Sequence, residues 1–89
     1  MRLAISRHAL ERALERGASE PEIKEVLESG VSTTAKYGRL GKTKTFEYNR
    51  YRSGKLYNQK KVEVYFTVEG DVISIIPVYV FYGTWRDLK

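Results

Sequence analysis

His8, Arg12 and Arg16 recur at intervals of four residues near the start of the chain. On a helix that spacing gathers one imidazole and two guanidiniums on a single face. An imidazole with a free pKa of about 6.5 exchanges a proton near neutral pH. Guanidiniums hold a phosphate and stabilise charge that builds on it. Cutting RNA without a metal needs these functions: a base for the 2′-hydroxyl proton, cations for the phosphorane and an acid for the 5′-oxygen. The same pattern also fits a solvated helix flank, with Glu11 and Glu15 as ion-pair partners for the arginines.

A second set of residues lies in the middle of the chain. Residues 36–61 carry nine Lys/Arg and a single acid, Glu47, for a net of +8. Lys36, Arg39, Lys42, Lys44, Arg50, Arg52, Lys55 and Lys60 are the expected nucleic-acid contacts. They are interleaved with Tyr37, Phe46, Tyr48, Tyr51 and Tyr57. Cations track phosphates, and tyrosine rings stack bases. A lysine-rich strand edge kept soluble by charge has the same composition. A third set consists of Tyr65, Tyr79 and Tyr82 in the later strands. Lys61 and Tyr65 fall on one strand face. Lys61 is expected to stabilise the phosphorane, and Tyr65 or Tyr79 to position the substrate; core-edge packing is the plainer role for any one of these phenols.

Other chemistries lack their residues. There is one histidine, there are no cysteines, and the carboxylates lack ligand spacing, so neither a metal nor a cofactor is expected. Gly38-x-x-Gly41 matches the KH-domain loop in letters only, because it joins a helical pair to a strand.

The elements that must position these groups can be read from periodicity. A first helix is predicted from Ser6 to Arg16, capped by Ser6 and stopped at Gly17, with Leu10, Ala13 and Leu14 as its core stripe. A second runs from Glu20 to Ser29. Ser19 and Glu22 form a capping box, Pro21 lies in the first turn and Ile23, Val26 and Leu27 face the core. Only Ala18 and Ser19 separate the helices, so they form a helical hairpin. Val31–Thr45 reads mainly as loop, with a short strand near Thr33–Tyr37. Lys44–Tyr51 alternates, Arg52–Lys55 turns, and Lys60–Val68 alternates with Val62, Val64, Phe66 and Val68 on one face. Glu69-Gly70 turns into Val72–Tyr82, an apolar central strand in which Pro77 marks a bulge or bend. Thr84–Lys89 is a tail, with Trp85 folding back.

The chain has 89 residues and a net charge of +5, enough for one domain with one core. The expectation is a single α+β domain over residues 1–89: an N-terminal helical hairpin on a twisted antiparallel sheet of 3–4 strands. The N-terminus lacks an apolar signal segment, and no stretch is long and apolar enough to span a bilayer as a helix. A cytoplasmic location with no membrane partner is therefore expected.

The run Ser6-Arg7-His8-Ala9-Leu10-Glu11-Arg12-Ala13-Leu14-Glu15-Arg16-Gly17 resembles the S-x-H-A-x-x-R-x-x-x-R-G opening of a small bacterial family related to the BrnT, RelE and ParE toxins. The resemblance covers the first thirty residues, and the strands match in pattern only. It implies a RelE-like fold, a metal-independent endoribonuclease of the mRNA-interferase kind, RNA as ligand and an acidic antitoxin as partner. Residue by residue it points to His8, Arg12 and Arg16, with Gly17 as a structural stop. The rival expectations are a domain that binds nucleic acid without cutting it, and a protein-interaction module. Fold alone does not decide among them.

Overall fold

Seven elements follow one another in a computed structural model that describes residues 2–35 and 37–85: β1 (Arg2–Ala4), α1 (Arg7–Arg16), α2 (Glu20–Ser29), β2 (Val31–Thr33), β3 (Leu40–Arg52), β4 (Lys55–Glu69) and β5 (Val72–Gly83). Both helices start where the capping residues place them. The Ser6 hydroxyl accepts from the Ala9 amide, and Ser19 and Glu22 form a complete capping box with Pro21 in the first turn. α1 ends at Gly17, whose φ of 106° is left-handed. A Cβ there would also lie 2.0 Å from the Tyr82 hydroxyl oxygen. Glycine is thus required both by the backbone and by its neighbour.

The sheet corrects the expectation of three to four antiparallel strands in a RelE-like arrangement. It has five strands in the order β1-β5-β4-β3-β2, and it is mixed. β1 runs parallel to β5, pairing Arg2–Ala4 with Val72–Ser74, while the other neighbours are antiparallel. Both outermost strands are three residues long, too short to show a period of two in the sequence. The remaining architecture is α+β as expected, with helices on one face.

Ala13, Ala18, Ile23 and Val26 from the helical pair meet Val62, Val64, Phe66, Ile75 and Val78 from β4 and β5 in one buried cluster. Each large apolar side chain removed from water there contributes about 1.5–3 kcal/mol. α1 supplies little of this. Leu14 is 54% exposed, and only Ala13 of the helix is buried. The expected stripe of Leu10, Ala13 and Leu14 is therefore mostly at the margin.

Polar contacts with the sheet hold α1 where apolar ones do not. The carbonyls of Glu15, Arg16 and Gly17 accept from the Arg52 guanidinium (3.2 Å), the Tyr82 hydroxyl (2.6 Å) and the Lys60 ammonium (2.6 Å). Lys60 is 8% exposed and also pairs with Glu22 at 2.9 Å. One buried cation therefore ties the end of α1, the start of α2 and β4 together. Among the described residues no helix is long and apolar enough to cross a membrane.

Lys60→Met should lower stability by about 1.5–3 kcal/mol, the usual loss for a charged hydrogen bond, read as a fall in the denaturant midpoint at unchanged slope. Burial pushes the Glu22 carboxyl up, but the Ser19 amide and the Lys60 ammonium hold it below its ordinary 4.5. A carboxyl lowered by folding stabilises the native state above its unfolded value and stops doing so as acid protonates it. Stability should therefore decline as pH falls below 4.5, and Glu22→Gln should flatten that part of the profile.

Candidate functional site

β1 covers the outer edge of β5 only as far as Ser74. Beyond it, the side chains of α1 reach that edge. Arg16 Nη1 donates to the Val78 carbonyl at 2.9 Å, and its guanidinium carbon lies 5.2 Å from the centroid of the Tyr79 ring. His8, Arg12 and Arg16 line a cleft of about 290 Å³ together with Arg39, Pro77 and Tyr79. The expected helix face is thus real, and it opens onto a strand edge. Among the described residues no carboxylate pairs with these arginines, although Glu11 and Glu15 belong to the same helix. None of the residues lining the cleft is acidic.

Tyr79 reaches this site because β5 carries an extra residue. β4 and β5 pair as Val64↔Val78 and Phe66↔Ile75, so Tyr65 faces the two-residue stretch Ile76-Pro77. Strict alternation from buried Ile75 would turn Tyr79 inward. The slip buries Val78 instead and leaves Tyr79 outside. Pro77 suits a position with no ladder bond to donate, and a bulge that re-aims a side chain is a familiar device beside sites. Tyr65 and Tyr79 then meet edge to face at 5.9 Å between centroids. They line a second cleft of about 270 Å³ with Tyr37 and Arg39. Arg39, Pro77 and Tyr79 border both clefts, so the two lie side by side.

Gly41 sets the position of Tyr65. The two are register partners, and the Tyr65 ring crosses the glycine so closely that a Cβ would lie 2.8 Å from Cε1. The Tyr65 hydroxyl donates to Glu63 Oε1 at 3.0 Å. Burial pushes its pKa up, and the Glu63 hydrogen bond and charge push in the same direction. Tyr65 therefore remains a neutral donor near pH 7.

The expected nucleic-acid contacts divide three ways. Lys42, Lys44 and Lys60 each have partners within the chain. Lys42 Nζ donates to the Leu27 carbonyl (2.8 Å), and Lys44 Nζ to Glu25 Oε2 (2.6 Å) and Ser29 Oγ (2.8 Å). With Lys60 on Gly17 and Glu22, these ammonium groups hold the helices to the sheet. Arg52 does likewise at Glu15, and stacks on Tyr82 at 4.6 Å. Arg50 and Lys55, near the β3–β4 turn, lie over Tyr48 and Tyr57 at 5.9 and 5.5 Å. Only Arg39 joins His8; Lys36 lies outside the described residues.

Of the expected catalytic set, His8, Arg12, Arg16 and Tyr79 share the first cleft and Tyr65 the second. Lys61 is corrected. Its Nζ lies 4.8 Å from the Trp85 ring centroid, apart from both clefts. From sequence, Tyr37 stands only as one of five aromatics in the basic segment, and Gly41 only in a Gly-x-x-Gly match that is set aside. The signals present were a glycine opposite an aromatic in an alternating strand, and a Tyr-Gly turn. Among the described residues no group of three His, Cys, Asp or Glu is gathered as a metal site would require.

A family model described as a domain of unknown function, DUF4258, matches residues 5–80. That span takes in both helices, β2, β3, β4 and most of β5. No curated protein and no solved structure matches the chain.

Gly41→Ala should leave the fold intact but drive the Tyr65 ring off the strand, at a cost of about 1–3 kcal/mol for overpacking. The readout is loss of the Tyr65–Tyr79 ring cross-peaks in a nuclear Overhauser spectrum. Unchanged ring contacts would show that the glycine does not set the tyrosine.

Proposed function

We propose that this chain, which belongs to the DUF4258 family, is a metal-independent endoribonuclease whose site is the cleft between α1 and the free edge of β5. One observation carries the reading. His8 and Arg12 of α1 line the same acid-free cleft as Arg39, which reaches it from the β2–β3 connection. Cations drawn from separate elements around one titratable imidazole suit a phosphodiester better than a solvated flank does. The Ser6–Gly17 motif, with its resemblance to BrnT and RelE toxins, supports the same reading. It also supports RNA as ligand and an acidic antitoxin as partner.

In this mechanism His8 takes the 2′-hydroxyl proton, and the 2′-oxygen attacks phosphorus. The bond from phosphorus to the 5′-oxygen breaks, leaving a 2′,3′-cyclic phosphate and a 5′-hydroxyl. The Tyr79 phenol supplies the proton to the departing 5′-oxygen and recovers one from the His8 imidazolium. Arg12 and Arg39 stabilise the phosphorane. Arg16, already bonded to Val78 on one nitrogen, adds charge and fixes Tyr79.

The test is cleavage of single-stranded RNA in EDTA, followed by end-group analysis of the products. His8→Ala should lower the rate at least about 100-fold, as loss of acid–base catalysis does. Arg39→Ala should lower it by about 10²–10³, as loss of a transition-state donor does. Lys61→Ala should stay within about twofold of wild type, on the same scale for a group outside the site. No cleavage by the wild-type protein, or equal rates for wild type and His8→Ala, would sink the reading.

A further inference from the structure

Tyr37 occupies a position that folding does not explain. It is 89% exposed, and its φ of 61° is left-handed, next to Gly38 at 72°. Asparagine or glycine would make that turn without the strain a bulky side chain brings. The ring buries almost nothing in return. Strain retained without burial is found where a side chain meets a ligand. Tyr37 also lines the second cleft, with Tyr65 and Tyr79. The volume of about 270 Å³ is below the roughly 300–1,000 Å³ of pockets that enclose drug-sized ligands. Three tyrosines line it together with Thr34, Ala35 and Pro77, and among the described residues its one cation is Arg39.

We propose that this cleft receives one unpaired nucleobase of a single-stranded nucleic acid, stacked against Tyr37 and the Tyr65–Tyr79 pair, with its adjoining phosphate on Arg39. The proposal rests on reading the neighbouring His8 cleft as the phosphate site. Arg39 and Tyr79 border both clefts, so a base and its own phosphate can occupy them together. Aromatic side chains take bases that are splayed out of a strand, and a base held in a duplex cannot enter. Tyr37 is then the outer wall of a base sandwich, and its exposure is that of a platform awaiting its ligand.

The test is fluorescence anisotropy with short mixed-sequence strands that cannot be cut, single-stranded DNA and 2′-O-methyl RNA, each also as a duplex. Tyr37→Ala should weaken single-strand binding about 5- to 150-fold, the usual range for one lost base stack, with an unchanged salt slope. Tyr37→Phe should bind within about twofold of wild type because it keeps the ring. Arg39→Ala should reduce the slope by about 0.7, the single-strand value for one phosphate contact. An unchanged melting temperature for Tyr37→Ala would confirm that the ring serves no folding role. Tyr37→Ala binding as tightly as wild type, or duplexes binding better than single strands, would overturn the inference. Tyr37-dependent binding by a protein that cuts no RNA would sustain it and remove only the proposed reaction. RNA cleavage with no effect of Tyr37→Ala on binding would do the reverse.

Discussion

The last turn of α1 presents three successive carbonyls, from Glu15, Arg16 and Gly17, and the sheet answers each with a donor: Arg52, Tyr82 and Lys60. These carbonyls have no partner within the helix, and they carry the negative end of its dipole. Two of the donors are cations, and the one beneath the layer, Lys60, is neutralised by Glu22 of the next helix. With so little of α1 buried, this clamp fixes where the helix lies more firmly than its apolar contacts do. Removing it would leave the direction of the helix to Ala13 and its neighbours.

The site follows from that placement. A helix anchored at its C-terminal end lies beside β5, and its His8-Arg12-Arg16 face turns toward the strand edge that three-residue β1 leaves open. A longer β1 would fill the same space with ladder bonds. The bulge at Ile76-Pro77 then brings Tyr79 to the outer face, next to Tyr65 and under the Arg16 guanidinium. Three departures from regularity therefore shape the two clefts: a strand that stops early, a strand with one residue too many, and a turn with a tyrosine at positive φ. Each is local, and the second also buries Val78 in the core.

Much of the fold was legible because its signals are local. Ser6, Gly17, Ser19, Glu22 and Pro21 delimit both helices to within a residue, since capping is chemistry between near neighbours in the chain. Alternation from Val62 to Phe66 marked the buried face of β4. What escaped was non-local. β1 exists only through β5, seventy residues away in the chain. Of the expected core stripe of α1, Leu14 is exposed, because a helical period does not say how much of the stripe the sheet covers. At the site, the His8 face was visible as a four-residue spacing, but its meeting with Arg39 was not, because no period links a helix to a loop. Lys61 shares a strand face with Tyr65, and that placed it with the candidates. A step of four residues along a strand is about 13 Å, enough to carry it to Trp85.

The charge distribution shows why a basic segment is a poor guide to where an anion binds. Residues 36–61 hold a net +8, yet Lys42, Lys44, Arg52 and Lys60 satisfy helix carbonyls, side chains of α2, or both. Arg50 and Lys55 lie on rings of their own hairpin. Both helices end over this segment, so the excess of cations there answers two dipoles before it answers any ligand. Arg12, Arg16 and Arg39 stand apart because the cleft they line with His8 offers no carboxylate to neutralise them. Its one backbone claim is the single bond from Arg16 to Val78. A cation's availability is set by what its neighbours already demand of it, and by that measure the arginines of the cleft beside β5 are less committed than the cations of the lysine-rich strands.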